Sequence, residues 1–301
     1  GWPALLVVWV FWGGTYLGIR VAVETIPPLL MAGSRYLIAG VLLLPFGLRS
    51  GTPQQRADDR PRGRQWLSAA AVGILLLAVG NGGVSVAERS IPSGLAALLV
   101  ATVPLWLVVF DLVLNHHTIR PPVLAGLLAG LVGVALLSGV ISIGSLARPG
   151  AVRLTGIIVV LAAAAAWALG TLLSGKLPVP TRPMLATSMQ MLVGGAVLLG
   201  AAAVSGEFRH FQPGQISVSS AIALVYLIGP GSILAFTAYG IAVRELPTAT
   251  VSTYAYVNPV VAVLLGALVL GEPVSPGILA GGSCVVVAIA VILRYRNGAP
   301  H

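Results

Sequence analysis

Long apolar runs, each separated from the next by a short polar or proline-containing segment, follow one another along the whole chain. A helix needs about 20 mostly apolar residues to cross the hydrocarbon core of a bilayer, which is roughly 30 Å thick. Ten segments satisfy this length, so we predict an all-α membrane protein with ten transmembrane helices. The predicted spans are residues 4–23, 29–48, 66–87, 93–114, 122–140, 154–175, 183–204, 219–243, 248–270 and 275–294. Because the runs are continuous rather than alternating, the strands of a transmembrane barrel are excluded.

Charged residues are too scarce to cover the surface of a soluble protein of this size. They make up 8% of the 301 residues, whereas about 25% is usual in a soluble domain. The net charge of +9 comes mainly from arginines between the apolar runs, and no basic patch is interleaved with aromatic residues. We therefore predict that the partners are the lipid bilayer and a small-molecule substrate, and that nucleic acid is not one of them.

The two halves of the sequence correspond to each other at a nearly constant offset of 155 residues, which pairs Trp12 with Trp167. Further pairs at this offset are Arg89 and Arg244, Pro104 and Pro259, Pro121 and Pro276, and Gly126 and Gly281. We predict an internal duplication, with one repeat in residues 1–140 and the other in residues 154–297. Each repeat holds five predicted spans, an odd number, so the second repeat enters the membrane from the opposite side. The prediction is therefore two inverted five-helix repeats, an architecture found in many secondary transporters.

The distribution of arginine and lysine predicts the orientation of the chain in the membrane. These residues are more frequent in the segments that would be cytoplasmic if the N-terminus were cytoplasmic, and most of the excess lies in residues 49–65. Cytoplasmic loops of membrane proteins carry such an excess. We therefore predict a multi-pass membrane protein with both termini in the cytoplasm.

Two prolines, Pro104 and Pro259, occupy equivalent places in the fourth and ninth predicted spans and are predicted hinges. A proline inside a helix removes a backbone donor, and irregular backbone at membrane depth is tolerated where it faces protein or a water-filled cavity. Tyr254 and Asn258 are four residues apart and so share one helical face. Either these spans line a central polar pocket, or the prolines are packing kinks held by a neighbouring helix.

Three tryptophans and one asparagine are further candidates for such a pocket. Trp12 and Trp167 lie near mid-span and are followed by small residues, which let helices approach closely. They form a cavity wall or, alternatively, face lipid or the packed core. Trp106, two residues after Pro104, is a third candidate wall. Asn81, flanked by glycines, is either a polar group of the pocket or a helix-to-helix hydrogen bond.

Charged residues within or beside the predicted spans are few. Arg35 lies in the first turns of the second span, where a charge at the bilayer centre costs about 3 kcal/mol on insertion scales. It should face a cavity or a partner such as Glu24, or else extend to the membrane surface. Glu88 and Arg89 are predicted to hold a tight turn, and no acid is placed near the midplane, which disfavours proton coupling through an embedded carboxylate.

The sequence offers no arrangement that indicates catalysis. No histidine is placed beside a serine inside the membrane, as an intramembrane serine protease requires, and no phosphate-binding glycine loop occurs. Cys284 is the only cysteine, which excludes a two-cysteine metal site. We predict no enzyme activity, no cofactor and no metal.

Three stretches resemble the EamA family of ten-span permeases in the drug/metabolite transporter superfamily. They are FWGGTYLGIRVAVETIPPLLMAGSRYLIAG (11–40), GNGGVSVAERSIPSGLAALLVATVPLW (80–106) and TYAYVNPVVAVLLGALVLGE (253–272). The resemblance implies a central cavity between inverted repeats, lined by spans one, three, four, six, eight and nine. The substrate-binding residues implied for this chain are Trp12, Tyr16, Asn81, Thr102, Trp106, Trp167, Tyr239, Tyr254 and Asn258.

The expected function is export or facilitated movement of amino acids or similar small metabolites by alternating access, in a monomer or weak homodimer. Amino acids are prominent substrates in one branch of the family that the sequence resembles. A neutral, aromatic cavity suits zwitterions or uncharged solutes better than phosphates, which would require clustered lysine or arginine. The alternatives are a multidrug or cation exporter of the same superfamily, an intramembrane enzyme, and a receptor or scaffold that binds without transport.

Overall fold

Helices carry every long apolar run that the computed structural model describes. The structure describes residues 1–59, 61–115, 121–138, 151–246, 251 and 253–296, and no strand occurs among them. The helices are α1 (Trp2–Ala22), α2 (Pro28–Arg49), α3 (Pro53–Asp58), α4 (Gly63–Gly73), α5 (Gly82–Ala87), α6 (Ser93–Val100), α7 (Val103–Asn115), α8 (Pro121–Ser138), α9 (Ala151–Ser174), α10 (Pro183–Val204), α11 (Glu207–His210), α12 (Val218–Ile228), α13 (Ala235–Glu245), α14 (Tyr254–Leu270) and α15 (Pro276–Arg296).

Among the described residues, seven helical segments are long and apolar enough to cross a bilayer. They are Trp2–Ala22, Pro28–Arg49, Gly63–Ala87, Ser93–Phe110, Leu154–Ser174, Pro183–Val204 and Val218–Ala242. Three shorter apolar helices are Pro121–Leu136, Val257–Leu270 and Pro276–Ile292. Each predicted span overlaps one of these ten helices, although spans 122–140 and 248–270 lie partly outside the described residues. The all-helical membrane class is therefore confirmed, whereas ten crossings and an inverted arrangement stay predictions.

Helices α2 and α10 pack along each other through regularly spaced glycines. Three glycines of α2 each contact a leucine of α10, in the pairs Gly33–Leu199, Gly40–Leu192 and Gly47–Leu185. Successive glycines are seven residues apart, and so are successive leucines, which follow in the opposite order along the chain. A Cβ atom at Gly47 would lie 2.8 Å from the Cα of Leu185, closer than packed carbon atoms approach. Small residues allow helices in a membrane to come this close. The opposite order of the contacts shows that α2 and α10 run antiparallel.

The two halves of the chain interlock rather than pack as separate bundles. Helix α1 packs against α12, α13 and α14 from the second half. Helix α9 packs in turn against α5, α6 and α7 from the first half. The interior between α1 and α9 is therefore built from both halves.

Two segments of π-helix interrupt the helices at corresponding positions. Ile74–Asn81 joins α4 to α5, and Gly229–Leu234 joins α12 to α13. Their first residues are 155 positions apart, the offset that relates the two halves of the sequence. A π-helical turn carries an extra residue per turn and occurs frequently at functional sites.

The two prolines predicted as hinges lie in different local structures. Pro104 follows a break at residues 101–102, where α6 ends and α7 begins. Pro259 lies inside the continuous helix α14. A hinge role for either proline stays a prediction.

Candidate functional site

A cavity of about 170 Å³ lies between helices of both halves. A cavity of about 150 Å³ in another protein holds benzene, so the available space suits a small molecule. The predicted site residues that line it are Trp12, Tyr16, Asn81, Trp167, Tyr254 and Asn258, together with the prolines Pro104 and Pro259. The structure thus brings together residues from α1, α7, α9, α14 and the first π-helical segment.

Corresponding positions of the two halves face this same cavity. The lining pairs that are 155 residues apart are Trp12 and Trp167, Asn81 and Phe236, Val100 and Ala255, Val103 and Asn258, and Pro104 and Pro259. Phe236 was missed by sequence reasoning, although adding the offset to Asn81 identifies it. The offset therefore identifies this lining residue where residue type did not.

Aromatic rings cluster around Trp12 on one side of the cavity. Its ring centroid lies 5.1 Å from that of Phe236, 5.2 Å from Tyr239 and 5.4 Å from Tyr254. The rings of Tyr239 and Tyr254 meet edge to face at 5.9 Å. Such tilted and edge-to-face contacts are the favoured geometries of aromatic pairs. Tyr239 therefore supports the wall from behind and does not line the cavity itself.

Two other predicted site residues lie away from the cavity lining. Thr102 is buried and donates its hydroxyl hydrogen to the carbonyl oxygen of Leu99, 2.6 Å away. Trp106 stacks on Phe110 with ring centroids 6.1 Å apart. The lining residues of this region include Ala97, Ala101, Pro104 and Leu107, which are spaced three or four residues apart, so Thr102 and Trp106 lie on a different face.

Arg35 lines the cavity and is 3% exposed. Its Nε donates to the hydroxyl oxygen of Ser232 at 2.9 Å, and its Nη2 donates to the carbonyl oxygen of Gly231 at 3.4 Å. The central carbon of its guanidinium lies 4.7 Å from the ring centroid of Tyr36, a cation–π distance. No ion pair with Glu24 occurs in the described part of the chain. The expectation that Arg35 faces a cavity fits this position, whereas the suggested pairing with Glu24 is wrong.

The two asparagines of the cavity differ in burial and in hydrogen bonding. Asn81 Nδ2 donates to the carbonyl oxygen of Leu76 at 3.4 Å, within its own helical segment. Asn258 is 7% exposed, and its Oδ1 makes no hydrogen bond with any described residue. The hydroxyl group of Tyr36, which also lines the cavity, is likewise without a partner among the described residues. Tyr36 was missed because nothing in the sequence separates it from an ordinary core tyrosine.

A second charged group, Glu88, lies in the connection directly after α5. It is 0% exposed, and its carboxyl oxygens make no hydrogen bond with a described residue. Burial, and next the nearby Glu272, raise the pKa of Glu88 well above its ordinary value, while Arg20 and Arg35 act in the opposite direction. Arg20 donates to the main-chain oxygen of Glu88 rather than to its side chain. Glu88 therefore lies in the turn that follows α5, as the sequence predicted, and its side chain is buried in the interior.

The arrangement can bind a small molecule that carries charged, polar and apolar parts. The cavity offers one cation, two amides, hydroxyl groups and aromatic faces. Among the residues that the structure describes, no three histidine, cysteine, aspartate or glutamate side chains lie close enough together to hold a metal ion.

Comparison with known proteins agrees with the resemblance found in the sequence. A profile of the EamA-like transporter family matches residues 1–139 and again residues 154–294. The chain is 41% identical over 273 residues to the "Uncharacterized inner membrane transporter YedA" of Escherichia coli (strain K12), covering 90% of this chain and 83% of that protein. It is 25% identical over 297 residues to the "Probable amino-acid metabolite efflux pump" of Salmonella typhimurium, covering 97% and 93%. A solved crystal structure with 22% sequence identity superimposes over 98% of both chains with a TM-score of 0.62, which shows a shared fold.

Proposed function

Because the chain belongs to the EamA-like transporter family, we propose that it carries amino acids or similar small metabolites across a bacterial inner membrane by alternating access. The observation that carries this proposal is the cavity lined by corresponding positions of both halves. A site shared by two halves can open to either face when one half moves against the other.

The proposed mechanism uses ten spans in two inverted repeats, residues 1–140 and 154–297, with both termini in the cytoplasm. The interruptions in the helices support it: the two π-helical segments and the break at residues 101–102 all adjoin the cavity. Non-helical or widened backbone at membrane depth is tolerated where it lines a cavity. These segments would absorb the change in helix direction, with Pro104 and Pro259 as hinges.

Amino acids are the proposed substrate class for two reasons. The cavity is small, and its lining combines a cation and amides with aromatic walls. The Salmonella relative is named as an amino-acid metabolite efflux pump.

The test is flux into proteoliposomes, with a panel of the twenty amino acids and with or without a pH gradient. Trp167→Ala removes one wall of the cavity, and we expect flux to fall by about tenfold, equivalent to about 1.4 kcal/mol of binding. Trp2→Ala is the matched control, because Trp2 is 58% exposed at the start of α1, away from the cavity. Equal flux through the folded Trp167→Ala protein and the wild type would count against the assigned cavity.

Export of organic cations is the second candidate, favoured by the aromatic cluster around Trp12. Aromatic faces attract cations, whereas the buried charge of Arg35 repels them. Competition between ethidium and amino acids for flux distinguishes the two. Flux of ethidium that amino acids do not inhibit, with no amino acid transported, would support the cation exporter.

A further inference from the structure

Arg35 has hydrogen-bonding capacity that the described residues leave unfilled. A guanidinium group carries five N–H donors. Ser232 and the carbonyl of Gly231 accept from two of its nitrogens, Nε and Nη2. Both acceptors are uncharged, so they position the group without neutralising it.

The charge of Arg35 is not balanced by a bonded carboxylate in the described part of the chain. Glu207 and Glu272 accept hydrogen bonds from groups at the starts of α2 and α6. Glu88 is near enough for the field of Arg35 to act on it, but its oxygens bond to nothing described. A charge removed from water is strongly unfavourable unless it is paired, and Arg35 is 97% buried by its 3% exposure. An anion that enters the cavity would supply the missing partner.

We propose that Arg35 binds the carboxylate of the transported solute and thereby selects monocarboxylates over neutral or cationic molecules of the same shape. This inference rests on the proposed transport function and names the chemistry of its substrate. A guanidinium matches a carboxylate through two parallel hydrogen bonds. One cation among aromatic walls suits one carboxylate, since a phosphate group would call for several cations.

Asn258 provides an acceptor for the other end of an amino acid. Its side chain lines the same cavity from α14, and its Oδ1 has no partner among the described residues. An ammonium group donates up to three hydrogen bonds. Arg35 and Asn258 together therefore fit a zwitterion. The guanidinium of Arg35 would donate to its carboxylate, and Oδ1 of Asn258 would accept from its ammonium group.

The probes that test Arg35 are two pairs of matched shape. The first pair is 4-methylpentanoate and 4-methylpentanamide, which differ only in the carboxylate, and the second is L-leucine and L-leucinamide. Binding to purified protein in detergent is measured by the ligand-induced rise in melting temperature, and flux is measured separately in proteoliposomes. For the wild type we expect each carboxylate to bind at least about tenfold more tightly than its amide, the range of charge-assisted hydrogen bonds.

Three variants separate recognition from structure. Arg35→Gln should reduce the preference for the carboxylate to about one, and Arg35→Lys should retain part of it, since lysine keeps the charge but not the paired donors. Arg209→Gln removes an exposed arginine and should keep the wild-type preference. If Arg35→Gln does not fold, Arg35→Lys provides the test. Its preference for the carboxylate over the amide should then lie between the wild-type value and one.

Several results would overturn the assignment. A wild type that binds amides as tightly as carboxylates, or that binds neither pair, contradicts it, and so does an unchanged preference in the Arg35 variants. The proposed transport function fails separately. Arg35-dependent carboxylate binding without flux supports the site and contradicts transport, whereas flux of amino acids and their amides at equal rates supports transport and contradicts the site.

Discussion

Two buried arginines, Arg182 and Arg35, are almost equally removed from solvent, at 4% and 3% exposure, but they have different surroundings. Arg182 is paired with Asp59. Its Nε donates to the carboxylate oxygen Oδ2 at 3.3 Å, and its Nη2 donates to the main-chain oxygen of Asp59 at 2.9 Å. Its Nη1 donates to the carbonyl oxygens of Gly47, Leu48 and Ser50. Arg35 has two uncharged acceptors and no carboxylate among the described residues.

The difference separates a structural arginine from one that is available to a ligand. Arg182 stands at the N-terminal end of α10 and bonds carbonyls at the C-terminal end of α2, which have no partners within their own helix. It therefore closes the end of the glycine-lined α2–α10 pair. Arg35 lines a cavity, and its two described acceptors leave donors over, as the proposed carboxylate site requires.

The largest expected effect is on stability, from Arg182→Gln. Breaking a buried ion pair leaves the other charge uncompensated, and we expect the free energy of unfolding to fall by about 3 to 5 kcal/mol. Arg35→Gln leaves no bonded carboxylate behind, and its effect on stability should stay within about 1 kcal/mol. Thermal or denaturant unfolding in detergent measures both variants. Equal losses of unfolding free energy in the two variants would contradict the distinction between a structural Arg182 and a ligand-binding Arg35.

Two carboxylates, Glu272 and Glu88, show the same contrast between a bonded and an unbonded charged side chain, with a smaller expected effect on stability. Glu272 accepts from the backbone nitrogen and hydroxyl of Ser93, at 2.8 and 2.9 Å, and from the backbone nitrogen of Gly94 at 3.2 Å. Glu272→Gln weakens these charge-assisted bonds, and we expect a loss of about 1.5 to 3 kcal/mol. The carboxyl oxygens of Glu88 make no hydrogen bond with a described residue, so Glu88→Gln removes no such bond and should change stability by less than about 1 kcal/mol. Unfolding measurements in detergent test both variants. A larger loss of unfolding free energy in Glu88→Gln than in Glu272→Gln would show that Glu88 is ionised and paired.

Local patterns in the sequence were sufficient for the helices and for most of the cavity. The length of the apolar runs follows bilayer thickness, and the constant offset pairs Trp12 with Trp167 and Pro104 with Pro259, all four of which line the cavity. Thr102 and Trp106 were predicted from their nearness to Pro104 and from the family resemblance, and neither lines the cavity, whereas Ala101, Pro104 and Leu107 do.

Long-range polar contacts could not be predicted in the same way. Arg182 and Asp59 are separated by 123 residues, and Ser93 and Glu272 by 179. No periodicity relates such positions, because the packing of helices decides which polar groups meet. The contact of Arg35 with Ser232 belongs to the same class, since it depends on how the second π-helical segment packs against α2.

The smallest expected effect is a dependence of stability on acid pH through Asp59. Burial alone would raise the pKa of Asp59, but hydrogen bonds from the backbone of Arg182, from Thr181 and from the side chains of Arg182 and Gln65 outweigh it and lower the pKa below its ordinary value of 3.8. The folded protein therefore binds this proton less readily than the unfolded chain does. The stabilisation is complete above the unfolded pKa, near 4, and is lost as the pH falls through the folded pKa. Unfolding at pH 7, 5, 4 and 3 should show a decline confined to the lowest values, and Asp59→Asn should reduce that decline while lowering stability at pH 7. A decline of the same size in Asp59→Asn would assign the acid sensitivity to other carboxylates and would leave the Arg182 pair with a stabilising role that does not depend on titration of its partner.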